Sequence, residues 1–322
     1  MGRSRNASRK GPGRADRKGM SLLEIMRMFP DDEAAEAWFV KTRWPEGVRC
    51  PHCQSDNILQ VKSRKPQPYR CRSCRKHFSI KTGTLMQGSN LGLQTWAVAF
   101  FLVATGIKGT ASMKLHRDLG VTQKTAWHLA HRIRETWRDN APQFAGPVEA
   151  DETFVGGKEA NKHGRKKLRA GRGKVGKVPV AGVRDRATGR VSADVIPNLK
   201  KETLQPFVEA RTEPGTLVYT DEWWGYRDLP NRQAVRHGVG QWVDGQAHTN
   251  GLESFWSLLK RGYGGTYHKM SPKHLSRYVR EFEGRHNQRE LDTIDQVRGM
   301  VRGTEGKRLT YRDLTSGGPA YP

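Results

Sequence analysis

The stretch Val148-Glu149-Ala150-Asp151-Glu152-Thr153-Phe154, closed by Gly156-Gly157, decides how this chain is read. It has the length and residue types of a strand, and it carries Asp151 within it. Residues 178–183 and 191–196 read as two further strands joined by the turn Arg186-Ala187-Thr188-Gly189, and residues 201–211 read as a helix. Thr216-Leu217-Val218-Tyr219-Thr220 is a short β-rich run ending at Asp221; residues 234–237 are a candidate fifth strand and residues 249–260 a helix. The order β-β-β-α-β-α-β-α predicts an α/β fold, a mixed sheet flanked by helices.

Three acids stand out on these elements: Asp151 on the first strand, Asp221 at the end of the fourth and Glu253 on the late helix. Neighbouring strands would bring the two aspartates to one sheet edge, and the helix would carry a third carboxylate across the gap. Two divalent ions about 4 Å apart need a shared cluster of this kind. Hard oxygen ligands favour Mg²⁺ or Mn²⁺. Glu253 and Lys260 are seven residues apart, two helical turns, so a carboxylate and a cation share one face. Asn250, three residues before Glu253, shares it too. Taken singly, each acid has a plainer reading: Asp221-Glu222 as a turn or helix cap, Asp151 as an edge-strand charge. Strand alternation turns Glu152 away from Asp151, and Glu149, Glu152 and Glu222 are set aside as ligands.

Outward from this region the chain is strongly basic. Its 322 residues carry 57 Lys and Arg against 32 Asp and Glu, a net +25. Such an excess points to a polyanionic partner, nucleic acid first, because each cation placed on a phosphate releases a condensed counterion. The longest apolar run, residues 96–104, has nine residues and reads as a buried helix, too short to span a membrane. The loop 158–177 holds nine Lys and Arg with one Glu and four Gly. Beside the first catalytic strand it reads as a clamp on DNA phosphates, with Lys158, Lys162, Arg165, Lys166 and Lys167 as its contacts, or else as a solvated loop. Trp223, Trp224 and Tyr226 after Asp221 read as base-stacking groups or as core.

Two modules precede the sheet. Cys50-Pro-His-Cys53 and Cys71-Arg-Ser-Cys74 are C-x-x-C knuckles 17 residues apart, and together they complete a tetrahedral sulfur shell for Zn²⁺. With no open ligand position the zinc would be structural; His52 and His77 are not needed as ligands. Two disulfides or four free thiols are the alternatives, and a reducing cytosol disfavours the first. Residues 94–105, 110–119 and 123–137 read as helices. Leu119-Gly120-Val121-Thr122 between the last two is a helix-turn-helix pattern, with Thr122 as cap and Gln123, Lys124 and Thr125 facing base edges. A helical hairpin packed against the catalytic domain is the competing reading.

Glu149-Ala150-Asp151-Glu152-Thr153, Gly156-Gly157-Lys158 with Asn161-Lys162-His163, Tyr219-Thr220-Asp221 and the run from His248-Thr249-Asn250-Gly251-Leu252-Glu253 to Lys260-Arg261-Gly262 occur in order. The set continues through Gly265-Thr266-Tyr267-His268 to Arg285 and Asn287. As a set they resemble the bacterial insertion-sequence transposases of the DDE class, with a zinc ribbon ahead of an RNase H-like catalytic domain. The resemblance covers residues 22–289. It implies that Asp151 and Asp221 are the first two catalytic acids; the third position is Glu253 or Asn250, since some members carry Asn rather than Glu there, and the face shared with Lys260 favours Glu253, with Asn250 as a ligand or substrate-orienting neighbour.

The expected organisation is a disordered basic tail over residues 1–20, short helices over 21–45, the zinc ribbon over 46–82, a helix-turn-helix-like DNA-binding region over 90–140, an RNase H-like catalytic domain over 146–292 and a C-terminal tail over 293–322. The expected partners are double-stranded DNA, as element ends and target, and further copies of the chain in a homodimer or larger synaptic assembly. Lys260 and Arg261 would lie near the DNA. No membrane and no small-molecule substrate is expected, and the expected place is the cytoplasm, at the nucleoid. A non-catalytic DNA-binding regulator of the same modules is the alternative.

Overall fold

A computed structural model of the chain describes residues 17–138, 143–157, 159–168, 174–234 and 249–316. The chain divides into two compact units: one runs to Trp137 and takes in Gln288–Ser316, and the other contains Arg138–Asn287. Among the described residues no helix is long and apolar enough to cross a membrane.

The first unit opens with α1 (Leu22–Met28), started by a Ser21–Glu24 capping box, and α2 (Asp32–Arg43), whose cap is Asp31. Three short antiparallel strands follow, β1 (Ile58–Gln60), β2 (Tyr69–Cys71) and β3 (His77–Phe78). They carry the knuckles. Cys50 and Cys74 sulfurs lie 3.6 Å apart, as do those of Cys53 and Cys71, and all four Sγ atoms lie within 4.8 Å of one another. A tetrahedral site with Zn–S bonds of about 2.3 Å has edges of about 3.8 Å, so the sulfurs already have the spacing a zinc ion needs. Main-chain N–H groups of His52 and Cys74 donate to Cys50 and Cys71 Sγ at 3.4 Å, and the bond from Cys74 holds the Cys71 thiol down, at about 6.

Three helices complete the middle of this unit: α3 (Leu93–Thr105), α4 (Ser112–Leu119) and α5 (Gln123–Arg134). Gly120 closes α4 in the left-handed region at φ 63°, and Thr122 Oγ1 then accepts the N–H of Thr125 at 3.2 Å to start α5. The helix-turn-helix-like region is therefore formed. Leu115, Ala126, Leu129 and Ile133 bury its inner face in the same core as α3.

The C-terminal stretch departs from expectation. Residues 293–316, read as part of a tail, form α9 (Thr293–Arg302) and α10 (Tyr311–Thr315) within the first unit. The reason is an apolar stripe at helical spacing: Val297, Met300 and Val301 are buried in the main core, with Ile294 packed against it. Glu305 then pairs with Arg43 of α2 at 3.1 Å. Residues 317–322, like the basic stretch 1–16, lie outside the described residues.

The second unit is a five-stranded sheet with α6 (Lys201–Glu209), α7 (Asn250–Gly262) and α8 (Pro272–Asn287). Its strands are β4 (Val148–Val155), β5 (Val178–Asp185), β6 (Val191–Val195), β7 (Val218–Thr220) and β8 (Arg232–Ala234), in the order β6-β5-β4-β7-β8. The first three are antiparallel, and β7 and β8 run parallel to β4. This is the RNase H-like mixed sheet. The expected fifth strand begins two residues earlier than read, at Arg232, and 235–248 are outside the described residues.

Strand alternation sorts β4 onto two faces. Val148 and Ala150 pack with α6, Val218 and Tyr226, while Val155 packs with α7 and α8. On α7, Leu252, Phe255, Trp256 and Leu259 are buried at positions i, i+3, i+4 and i+7, each worth about 1.5–3 kcal/mol of burial. That leaves Asn250, Glu253, Ser257 and Lys260 on the exposed face.

We expect one zinc per chain by metal analysis of the purified protein, and Cys71→Ser to remove it. The knuckle strands have too few apolar residues to hold alone, so the same substitution should expose the ribbon to proteolysis; a ribbon that stays resistant with no bound zinc would contradict a structural ion.

Candidate active site

β4 and β7 pair in parallel at Val148↔Val218 and Glu149↔Tyr219. Carrying that register two residues further sets Asp151 level with Asp221, where β7 has ended. Both aspartates thus lie at the open carboxyl end of the parallel pair, the usual ligand-binding edge of such sheets. Asp221 is held from two sides. Its Oδ1 accepts the N–H of Trp223 at 3.0 Å, and Arg232 of β8 donates to its main-chain oxygen at 2.7 Å and to Thr220 Oγ1 at 2.8 Å. The turn contact read as the plainer role of Asp221 is therefore present, beside its position at the strand end.

Asp151 faces α7. Trp256 Nε1 donates to its Oδ2 at 2.9 Å. The indole can reach because the residue paired with Asp151 on β5 is Gly182. A Cβ there would stand 2.8 Å from the Trp256 ring. Gly182 and Trp256 are thus one device that aims Asp151, and sequence reasoning missed both; a glycine inside a strand was the available signal.

Asp151, Glu152, Glu253, Ser257, Lys260 and Arg261 line a cavity of about 540 Å³. Glu253 therefore shares a cavity with Asp151, whereas neither Asn250 nor Asp221 is in its lining. Burial raises the Asp151 carboxyl to about 7, helped by the charges of Asp221 and Glu253 and opposed by the Trp256 hydrogen bond. Glu152 is also raised to about 7, by burial and then by Asp221. It does point to the opposite face of β4, as alternation requires, and there it accepts the hydroxyl of buried Tyr226 at 2.8 Å. It lines the same cavity even so, because at the end of a sheet both faces of a strand border one opening.

This donor set is all carboxylate oxygen, the chemistry that suits Mg²⁺ or Mn²⁺. Among the described residues no three of these acids bring oxygens within 4.8 Å of one another; the cysteines alone do so. Acids that approach a pair of ions from opposite sides need not share so small a sphere.

Glu149 has a different task. It is fully buried. Its Oε1 meets Arg184 at 3.1 Å and Arg186 at 3.3 Å, and its Oε2 accepts the N–H of Leu252 in the first turn of α7 at 3.1 Å. Of the aromatic trio, Tyr226 is buried and Trp223 is half-buried with Nε1 on Leu199 O at 3.2 Å, so both are structural, while Trp224 is 49% exposed.

The other expected DNA contacts are scattered on the surface. Gln123 and Lys124 are exposed and Thr125 half-buried in the first unit. In the second, Arg165 and Lys167 are exposed, Lys162 pairs with Glu159 at 2.5 Å, and Arg261 donates to Ser257 O and Oγ at 3.2 Å. Lys158 and the side chain of Lys166 lie outside the described residues.

The raised carboxyls make a pH prediction. Unfolded, they titrate near 3.8 and 4.5; folded, near 7. The folded chain keeps protons that the unfolded chain has lost, so metal-free stability falls as pH rises from about 4 to about 7 and levels off above. The melting-temperature gain of Asp151→Asn over the unsubstituted protein should be small at pH 4 and largest above pH 7. A gain independent of pH would contradict the burial of Asp151.

Residues 143–287 match the ISXO2-like transposase domain family, and residues 30–77 match a transposase zinc-ribbon domain family. The chain is 29% identical over 273 residues to an uncharacterized protein in transposable element ISH50 of Halobacterium salinarum, an alignment covering 80% of this chain and 92% of that protein. It is 26% identical over 120 residues to an uncharacterized transposase-like protein of Haemophilus influenzae, covering 36% of this chain and 96% of that one. A transposase zinc-ribbon domain and an ISXO2-like transposase domain thus follow one another along the chain, and these similarities support an insertion-sequence transposase with an N-terminal zinc ribbon ahead of the RNase H-like sheet.

Proposed function

We propose that the chain binds the terminal inverted repeats of its element, cuts DNA there to free 3′-hydroxyls and joins those ends to target DNA. Asp151, Asp221 and Glu253 are the proposed ligands of Mg²⁺ or Mn²⁺. The observation that supports this most directly is the cavity that gathers Asp151, Glu253, Lys260 and Arg261 at the edge where β7 ends in Asp221. A bound pair of divalent ions supplies an activated oxygen nucleophile and a stabilised leaving oxygen. The rest falls to the chain. Trp256 holds Asp151 in one orientation, Lys260 meets a non-bridging phosphate oxygen, and the exposed Arg165 and Lys167 extend the basic surface along the backbone, with Lys158, Lys162 and Lys166 as further proposed contacts.

In the cutting step water attacks phosphorus, the P–O3′ bond breaks and the 3′-oxygen takes a proton. In joining, that hydroxyl attacks a target phosphodiester and displaces a second 3′-oxygen. Two ends must meet for this, so a dimer or larger assembly is proposed, with Gln123, Lys124 and Thr125 of the helix-turn-helix-like region on the element ends. A non-catalytic regulator would have no use for aimed acids beside cations.

Asp151→Asn, Asp221→Asn and Glu253→Gln should each remove Mg²⁺-dependent nicking and strand transfer of labelled end DNA and leave its binding intact. Lys260→Ala should lower the rate by about 10²-fold. Full activity of Glu253→Gln together with loss in Asn250→Ala would move the third position to Asn250.

A further inference from the structure

The first unit contains a second cavity, and the charged side chains in its lining are basic. The turn 88–91, one face of α5 and Tyr311 at the start of α10 enclose about 440 Å³. Lys124, His128 and Arg132 stand in a row on α5 at i, i+4 and i+8. Among the described residues no Asp or Glu lines the cavity.

Among the described residues, main-chain carbonyls and an aromatic ring meet the positive charge here. Arg132 donates from Nε to Leu309 O at 3.1 Å and from Nη2 to Gln87 O at 3.3 Å. Burial and then the charge of Arg308 push its pKa down. Lys124 is exposed at the mouth, and its ammonium rests over the Tyr311 ring at 4.4 Å. An exposed cation–π contact is weaker than a charge-assisted hydrogen bond to an anion, so Lys124 can leave the ring for a phosphate. The first turn of α5 adds the positive end of a helix dipole to the same mouth.

We propose that this cavity holds one backbone phosphate of bound DNA, gripped by Lys124 and Arg132, with the C-terminal helix α10 as its outer wall. The proposal rests on the DNA-directed function above, and it goes further in two respects. It makes α10 part of the binding unit, and it moves Lys124 from base reading to backbone positioning, which carries no sequence information.

The test is fluorescence anisotropy with the full-length zinc-loaded protein, titrated at several salt concentrations against a duplex of the element end and an unrelated duplex. Lys124→Ala should weaken both complexes by a similar several-fold factor and lower the slope of log affinity against log salt by about 1. Arg132→Gln should do the same; because Arg132 also ties Leu309 and Gln87, its melting temperature is measured alongside, and Lys124→Ala stands as the variant free of that concern. An unchanged salt slope in Lys124→Ala overturns the proposal, as does a loss confined to the end duplex, which would mark a base contact. Unsubstituted protein that binds neither duplex overturns the DNA-directed function and the site with it.

Discussion

Glu149 lies fully buried on β4, with Arg184 and Arg186 on one carboxylate oxygen and the N–H of Leu252 on the other. A carboxylate in such a place is tolerable only with its partners in position; removing one partner of a buried pair costs about 3–5 kcal/mol. Thr249 offers α7 no side-chain cap, so the strand glutamate serves the first turn of the helix as a cap from outside. The geometry leaves little slack, because a Cβ at Gly251 would stand 2.3 Å from Arg184 Nη1. One interaction thereby fixes where α7 begins relative to β4. It also fixes how Glu253, Trp256 and Lys260, one to three turns along, face the sheet edge.

Much of this architecture was legible because it is local. The strand of Asp151, the hairpin around Arg186-Ala187-Thr188-Gly189 and the two knuckles each depend on residues within one element or one turn. Asp185 accepts the N–H of Thr188 at 3.1 Å and Gly189 takes φ 68°, as that turn demands. What escaped was long-range. Ile294, Val297, Met300 and Val301 have helical spacing, but only the presence of α2 and α3 gives that stripe a surface to cover. A basic C-terminal stretch read alone resembles a tail.

The site divides the same way. Asp151 and Asp221 could be assigned to neighbouring strands from order alone, and the two-turn spacing of Glu253 and Lys260 brought both to the exposed face of α7. Alternation turned Glu152 to the other face of β4, and from there it lines the same cavity. Trp256 is buried; its second role, the hydrogen bond to Asp151, becomes visible only with Gly182 beneath the ring. Glu149 was set aside as a ligand, but the task it does have was not legible in sequence, since its partners come from β5, the turn after it and α7.

The central claim is that Asp151, Asp221 and Glu253 form one divalent-metal site, assembled because Glu149 and Trp256 hold β4 and α7 in register. Mn²⁺ binding to the zinc-loaded protein, followed by electron paramagnetic resonance, tests it most directly. The account predicts saturable binding that is lost in Asp151→Asn and in Asp221→Asn and weakened in Glu253→Gln. Equal Mn²⁺ binding by the unsubstituted protein and by folded Asp151→Asn would contradict it.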